Sequence, residues 1–247
     1  MSDRDVADAK QELRDVVWDA LREAGVARFP GARGRIPNFT GAEAAAERLR
    51  GTSPWRAAVT VKANPDSPQW PVRQRALEDG CTVFMAVPRL RDERPFLRLD
   101  PDLLEVRPRA ASSIKGSSEH GVPTAVDELV PVDLVVVGCV AVDLSGARVG
   151  KGGGFADLEF AMATAAGLIG PDTTVVTTVH PLQVVDGGRI PMTDHDVPLD
   201  VIVTPDEVIV CDGDRARPTN VLWDHLSEDK IAAIPLLARL AAERSGG

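Results

Sequence analysis

Hydrophobic and polar positions along the chain alternate between the periods of helices and of strands. Helical spacing of apolar residues predicts a first helix over Asp5–Ala24 and a short one over Ala42–Leu49. Short apolar runs predict strands at Ala57–Val61, Thr82–Val87, Asp133–Val137 and Thr174–Val179, and a hairpin-like pair at Val201–Val203 and Val208–Val210. Further helices are predicted over Pro71–Glu78, residues 155–169 and Glu228–Glu243, with an irregular segment over Pro88–Arg109.

The order of these elements predicts an α/β fold. The run Asp133–Val137 is almost wholly apolar, which is typical of a strand covered on both faces in a mostly parallel sheet. Strands that alternate with helices form an open sheet flanked by helices, and such sheets bind ligands at the carboxyl ends of their strands. Because no internal repeat or low-complexity linker interrupts the pattern, we expect a single domain over residues 1–247.

A glycine-dense loop between a strand and a helix is the strongest functional signal. Residues 146–157 read GARVGKGGGFAD, and apolar residues recur at helical spacing from Phe155 onward. Glycines let backbone N–H groups approach an oxyanion closely, and the helix dipole favours negative charge at the helix N-terminus. The alternative is a flexible surface turn. The pattern thus predicts a site for a phosphate chain formed by Arg148, Gly150, Lys151, Gly152, Gly153 and Gly154.

Three charged residues can be assigned to the same anion site. Asp157 lies in the first turn of the following helix, where a carboxylate could hold Mg²⁺ beside a phosphate or simply complement the helix dipole. Lys10 and Arg14 stand four residues apart on the first helix. Like charges at that spacing repel unless an anion lies between them, so the pair indicates an anion; a solvated helix face is the alternative.

Composition and charge exclude several classes of protein. The chain has 247 residues and a net charge of −9, which argues against nucleic-acid and anionic-membrane partners. With no apolar run of 18 residues, no amino-terminal signal sequence and three scattered cysteines, we expect a cytoplasmic protein with reduced, buried thiols. The segment from Arg28 to Lys115 holds 16 Lys and Arg against 10 Asp and Glu, which suits a small polyanion or reflects solvated arginines.

These motifs resemble the signature of the 5-formyltetrahydrofolate cyclo-ligase family, also called methenyltetrahydrofolate synthetases. The family pattern Arg-x-Gly-x-Gly-x-Gly-Tyr-Tyr-Asp matches residues 148–157, and Lys10-x-x-x-Arg14 resembles the family's amino-terminal basic pair. The likeness covers most of residues 10–225. It is greatest to the methenyltetrahydrofolate synthetase domain-containing branch, through RIPNF at 35–39, VVVG at 135–138, HD at 195–196 and DVIVTP at 200–205.

The resemblance implies a cyclo-ligase-like α/β fold that binds ATP and Mg²⁺ at the glycine loop and a folate-like small molecule as substrate. In the family, the formyl oxygen of 5-formyltetrahydrofolate takes the γ-phosphoryl group of ATP; N10 then attacks the activated carbon and phosphate leaves as 5,10-methenyltetrahydrofolate forms. Such a reaction needs positioning and charge stabilisation. The resemblance implies that Asp157 ligates the metal and that the triphosphate is neutralised by Lys10, Arg14, Arg148 and Lys151.

The chain departs from the family pattern at one place. Phe155 and Ala156 stand where the family has paired tyrosines, and the chain contains no tyrosine. Two alternatives therefore stay open: an ATP-dependent enzyme acting on another small substrate, and a non-catalytic protein that binds a nucleotide or a folate. The oligomeric state is left open.

Three further groups of residues carry weaker signals, each with a structural alternative. The acidic and imidazole side chains of Asp194–Asp196 with Asp200 could bind a metal or form a polar loop. Trp55 and Trp70 could stack on a flat heterocycle or belong to the core. Four arginines could bind the glutamate tail of a folate or lie in an exposed loop: Arg89, Arg91, Arg94 and Arg98.

Overall fold

The protein is built on a large twisted sheet in a computed structural model that describes residues 2–87, 90 and 92–245. In chain order the strands are β1 (Thr60–Ala63), β2 (Thr82–Ala86), β3 (Phe96–Leu99), β4 (Val122–Thr124), β5 (Leu134–Val136), β6 (Ala141–Asp143), β7 (Arg148–Val149), β8 (Thr174–Thr178), β9 (Val184–Val185), β10 (Val201–Val203) and β11 (Val208–Val210). The helices are α1 (Asp3–Glu23), α2 (Ala42–Arg50), α3 (Ser53–Ala57), α4 (Trp70–Glu78), α5 (Pro108–Ala111), α6 (Ile114–His120), α7 (Phe155–Ala165), α8 (Glu228–Ala233) and α9 (Pro235–Ser245).

Within the described residues, eight strands form the large sheet in the order β11-β10-β8-β5-β1-β2-β3-β4. Neighbours from β10 to β2 pair in parallel, whereas β3, β4 and β11 pair antiparallel at the edges. The central strands β1 and β5 are buried along their whole length, as expected where helices cover both faces. The prediction of an open, mostly parallel α/β sheet flanked by helices is confirmed.

The direction of strand addition changes at β1. The chain adds β2 on one side of β1 and later adds β5 on the other side. Such a reversal opens a crevice at the carboxyl ends of the two adjacent strands, which is where open α/β sheets bind ligands. Asn64 follows β1 and Gly138 lies just beyond β5, so both lie at this crevice.

Four predicted elements have different boundaries in the structure. The predicted strand Ala57–Val61 begins only at Thr60, because the Thr52 side chain caps α3 and keeps Ala57 helical. The segment predicted to be irregular contains β3, in which Arg98 interrupts the run of apolar residues. The carboxy-terminal helix breaks into α8 and α9 at Ile234, because Pro235 disfavours a helical residue before it. Helix α7 ends at Ala165, before a Gly167 with φ of +73°.

A second sheet holds the glycine loop against helix α1. Strands β6 and β7 form an antiparallel hairpin, and β9 pairs in parallel with β6. The buried face of α1 packs on this hairpin through Leu13, Val17 and Leu21. The chain leaves β7 at Val149 and enters α7 at Phe155, so residues 150–154 are fixed at both ends. No helix of the described residues is both long and apolar enough to cross a membrane.

Candidate anion site at the glycine loop

The glycine loop presents a row of backbone N–H groups that have no acceptor among the described residues. Gly152 and Gly154 have φ of +104° and +64°, a backbone region that favours glycine and that forms anion-binding concavities. In the part of the chain that the structure describes, the amides of residues 151–157 donate no hydrogen bond. The next amide along the chain, that of Leu158, donates to Gly154 O at 3.1 Å. The loop and the first turn of α7 can therefore bind an anion.

Helix α1 brings its two predicted cations to this loop. Arg14 is buried, and its Nε donates to Gly150 O at 2.7 Å. Burial lowers the pKa of the Arg14 guanidinium, against the opposing charges of Asp15 and Asp196. Lys10 Nζ forms an ion pair with Asp196 Oδ2 at 2.6 Å. The structure thus joins the first helix, the glycine loop and the polar loop around residue 196.

Lys151 connects the glycine loop to the crevice between β1 and β5. Its Nζ lies 3.0 Å from Asp66 Oδ1, and the lysine side chain is 49% exposed. Asp66 comes shortly after β1, so the ion pair spans the mouth of the crevice. Because half of the lysine side chain meets solvent, its ammonium can move to a ligand at little energetic cost.

Arg148 and Asp157 bond each other. The Arg148 guanidinium is 3% exposed; it forms an ion pair with Asp157, and its Nε donates to Val197 O at 3.0 Å. Asp157 Oδ1 also accepts the Val197 amide at 3.0 Å. Arg148 was predicted to help neutralise a triphosphate, but its guanidinium already forms an ion pair with the partly buried Asp157.

Two carboxylates next to the loop fit a divalent cation. Asp157 Oδ1 accepts the amide of Val197, the residue that follows Asp196 in the chain. Among the described residues, Asp157 Oδ2 and Asp196 Oδ1 take part in no hydrogen bond, while their second oxygens do. Mg²⁺ is commonly held by one or two carboxylates together with substrate phosphates. No group of three or more metal-ligating side chains occurs in the described part of the chain.

Asp196 is held ionised by its surroundings. Burial alone would raise the pKa of Asp196, but the Lys10 ammonium and two hydrogen bonds from Thr193 outweigh it and lower the pKa. The cluster predicted at Asp194–Asp196 and Asp200 is not kept together, since Asp200 bonds Arg217 and the Val175 amide instead. No local feature of the sequence separates Asp196 from its acidic neighbours.

A buried polar cluster at the crevice was not predicted. Lys62 on β1 and Glu159 on α7 form an ion pair of 2.7 Å, with side chains 2% and 6% exposed. Asn64 Nδ2 donates to Glu159 Oε2 at 3.2 Å, and Asn64 Oδ1 accepts the Gly138 amide at 3.1 Å. A lysine inside an otherwise apolar central strand is the signal that could have located this cluster, because buried charges need partners.

The other predicted contacts have structural explanations where the structure describes them. The Trp55 ring is buried and its Nε1 donates to Asp79 Oδ2 at 2.9 Å. Trp70 donates to Arg109 O at 3.1 Å and its ring lies under the Arg109 guanidinium. Arg94 pairs with Glu128, and Arg98 lies on β3. Arg89 and Arg91 lie outside the described residues.

Comparison with known proteins identifies relatives along most of the chain. The 5-formyltetrahydrofolate cyclo-ligase family matches residues 6–205. The methenyltetrahydrofolate synthase domain-containing protein of mouse is 40% identical over 239 residues, which cover 94% of this chain and 63% of the mouse protein. The bovine protein of the same name is 38% identical, over 94% of this chain and 62% of its own length. The chain thus spans a little over three fifths of these relatives.

A solved structure shares the fold. The NMR structure of 5,10-methenyltetrahydrofolate synthetase from Aquifex aeolicus superposes with a TM-score of 0.52 at 21% identity. The match covers 84% of this chain and 95% of the Aquifex chain. At this identity the likeness concerns the fold alone. The family match spans the first helix, the crevice strands and the glycine loop, and the mouse and bovine relatives extend over nearly the whole sequence. The chain therefore belongs to the 5-formyltetrahydrofolate cyclo-ligase family, a family of ligase enzymes.

Proposed function

We propose that this chain converts 5-formyltetrahydrofolate to 5,10-methenyltetrahydrofolate with ATP and Mg²⁺. The observation that carries the proposal is the row of free amides at residues 151–157, flanked by Arg14 and Lys151. A triphosphate needs such amides and cations, and a phosphoryl transfer needs little else from a protein besides alignment. Family membership supplies the substrate class, a folate-like small molecule.

The reaction proposed here uses the protein for binding and alignment. The formyl oxygen attacks the γ-phosphorus of ATP and ADP leaves; N10 then attacks the formyl carbon, and the carbon–oxygen bond breaks to release phosphate. The loop amides would bind the triphosphate, while Arg14 and Lys151 would balance its charge. Lys10 would act through Asp196, which it holds in place. Arg148 would hold Asp157 rather than contact the phosphates.

Asp157 and Asp196 are the residues proposed to hold Mg²⁺. Their free oxygens and their closeness through residue 197 support this choice. When bound, the metal would add positive charge to the phosphate oxygens. The two carboxylates would fix its position, and their ion pairs with Lys10 and Arg148 would orient them.

A second function stays open for a specific reason. Phe155 and Ala156 replace the family's tyrosine pair, and a buried Lys62–Glu159 ion pair lies at the crevice where a substrate would bind. An ATP-dependent enzyme with another small substrate would use the same glycine loop with a differently shaped crevice. A non-catalytic binder would bind nucleotide without turnover.

An absorbance assay separates these functions. The protein is mixed with 5-formyltetrahydrofolate, ATP and Mg²⁺, and the near-ultraviolet absorbance of methenyltetrahydrofolate is followed together with phosphate release. The proposal predicts both signals in equal amounts, both lost without ATP. Phosphate release with other amides or carboxylates, and none with 5-formyltetrahydrofolate, would favour the second enzyme. Nucleotide binding without either signal would favour the non-catalytic binder.

A further inference from the structure

The carboxy-terminal segment, residues 216–245, lies beyond the family match at residues 6–205, yet it is part of the core beside the glycine loop. Ile234 and Leu237 are at most 1% exposed, and they belong to one apolar cluster with Leu158 and Met162 of α7. Burial of this kind fixes a segment relative to the helix on which it packs. The segment therefore holds a defined position at the N-terminus of α7.

This segment places a lysine on the glycine loop. Lys230 Nζ donates to Gly153 O at 3.1 Å and lies 5.6 Å from the centroid of the Phe155 ring. It also lies 3.1 Å from the point where a side chain at Gly154 would begin. An ammonium group has three donors, so two remain for a ligand. Burial lowers the pKa of Lys230, and the charge of Asp157 opposes that effect.

Lys230 lines a small cavity with Gly154, Asp157, His195 and His225. The cavity holds about 70 Å³, whereas one ordered water molecule needs roughly 10–15 Å³ measured in the same way. It can take one small group, such as the end of a phosphate chain, but not a nucleotide. Asp157 repels a phosphate unless a cation lies between them, and Lys230 supplies a cation on that side.

We propose that Lys230 is a phosphate-binding residue and that the carboxy-terminal segment completes the site for the terminal phosphate of ATP. The proposal rests on the proposed function, since it assumes a triphosphate at the glycine loop. It assigns a role to a residue outside the matched family region, and it explains Phe155: the ring takes the place of a family tyrosine and supports the Lys230 ammonium. The competing role for Lys230 is to tether the loop through Gly153 O alone.

Calorimetry with two nucleotides distinguishes these roles. A nonhydrolysable ATP analogue and ADP are titrated, with Mg²⁺, into the wild type and into Lys230→Ala, Lys230→Arg and Lys115→Ala. Lys115 is the matched control, because its side chain is 85% exposed on α6. We expect Lys230→Ala to lower the affinity for the ATP analogue about tenfold and the affinity for ADP less than twofold. Lys230→Arg should keep most of the affinity, and Lys115→Ala should match the wild type.

If Lys230→Ala lost the same affinity for both nucleotides, the proposal would be overturned in favour of a tether. Unchanged affinity for both nucleotides would also overturn the proposal. A wild type that binds neither nucleotide would overturn the proposed function and this inference with it, which is a different result from an unaffected variant. Melting curves of each variant verify that the fold is kept. If Lys230→Ala does not fold, Lys230→Gln in the same titrations gives the same decision.

Discussion

Charged side chains around the glycine loop are held by the protein before any ligand binds. Lys10 pairs with Asp196, Arg14 bonds Gly150 O and Lys151 pairs with Asp66. Side chains that are already ordered lose less conformational entropy on binding, so such an arrangement favours affinity. Lys151 is the least buried of the three, which makes it the residue whose removal disturbs the fold least.

Replacement of Lys151 tests the loop at a single residue. Lys151→Ala should lower the affinity for ATP about tenfold, because one charged contact to a phosphate is lost. Its ion pair with Asp66 is half exposed, so the free energy of unfolding should change by less than about 0.5 kcal/mol. Calorimetry and urea unfolding measure the two quantities. An unchanged affinity for ATP would remove Lys151 from the site.

Replacement of Glu159 tests the buried pair at the crevice. Glu159→Ala leaves the Lys62 ammonium buried without a counter-charge, which should cost about 3–5 kcal/mol of unfolding free energy. Glu243→Ala is the control, since Glu243 forms an exposed ion pair on α9 and should cost less than about 0.5 kcal/mol. Urea unfolding compares the variants, and equal costs would mean that the crevice pair is not buried in solution.

The sequence could predict the backbone part of the site but not its pairing of charges. Glycines between a strand and a helix indicate free amides whatever the rest of the chain does, and the structure has them at residues 151–157. The partners of Arg148 and Asp196 depend on which loops meet in space, and no local spacing reports that. Arg148 was therefore predicted to neutralise a triphosphate, and its pairing with Asp157 was not foreseen.

At the scale of elements, the hairpin β6–β7 fixes the start of the glycine loop. Gly146 in its turn has φ of +82°, and an added Cβ would stand 2.3 Å from Leu199 O. Gly146 O also accepts the Leu199 amide at 2.9 Å. The turn is therefore closely packed against the chain that leads into β10, and it cannot shift without disturbing that strand.

An alanine at this turn should be much more destabilising than an alanine at an open turn. Gly80 has a similar φ of +86°, but nothing lies within 4 Å of its added Cβ. Gly80→Ala should therefore lower the unfolding free energy only by the strain of an alanine in the left-handed backbone region, about 1–2 kcal/mol. Gly146→Ala should cost about 1–3 kcal/mol more, because the methyl group clashes with a backbone carbonyl. Thermal unfolding measures both variants, and equal costs would contradict the close contact at Leu199.

Elements were predictable where one local signal dominates. Helix α1 and strand β5 follow from their apolar periods, and both are present. Strand β3 was missed because it gains its stability from antiparallel pairing with β2, not from its own composition. The break at Pro235 was not predicted, although a proline disfavours a helical residue before it.

For the whole molecule, the basic segment predicted from charge is not the anion site. Within the described residues, the cations at or beside the loop are Lys10, Arg14, Lys151 and Lys230, and none of these lies between residues 28 and 115. Arginines of that segment instead pair with acidic residues nearby, as Arg75 does with Glu43 and Glu47. The site is assembled from the two ends and the middle of the chain, which segment charge could not reveal. The cytoplasmic location stays a prediction.

One such arginine pair predicts the response of the fold to acid. Burial alone would raise the pKa of Asp79, but hydrogen bonds from Arg50 and Trp55 outweigh it and hold the pKa below its ordinary value of 3.8. A depressed carboxyl pKa stabilises the fold above the unfolded-state pKa, and this contribution is lost as pH falls through the folded-state value.

Urea unfolding between about pH 5 and pH 2 tests this linkage. The unfolding free energy of the wild type should fall with decreasing pH more steeply than that of Asp79→Asn, which has no carboxyl group to titrate at that position. Asp8→Asn, an exposed change on α1, is the control and should follow the wild type. Parallel curves for the wild type and Asp79→Asn would contradict the assignment.

The central claim is that the backbone amides of the glycine loop bind the phosphates of ATP, and nuclear magnetic resonance of ¹⁵N-glycine-labelled protein tests it most directly. The chain has 21 glycines, and Gly80 and Gly167 lie in open turns away from the loop. With ATP and Mg²⁺, the amide signals of Gly152, Gly153 and Gly154 should move downfield while those two stay in place. Saturation with ATP that leaves the three loop signals unmoved would contradict the account.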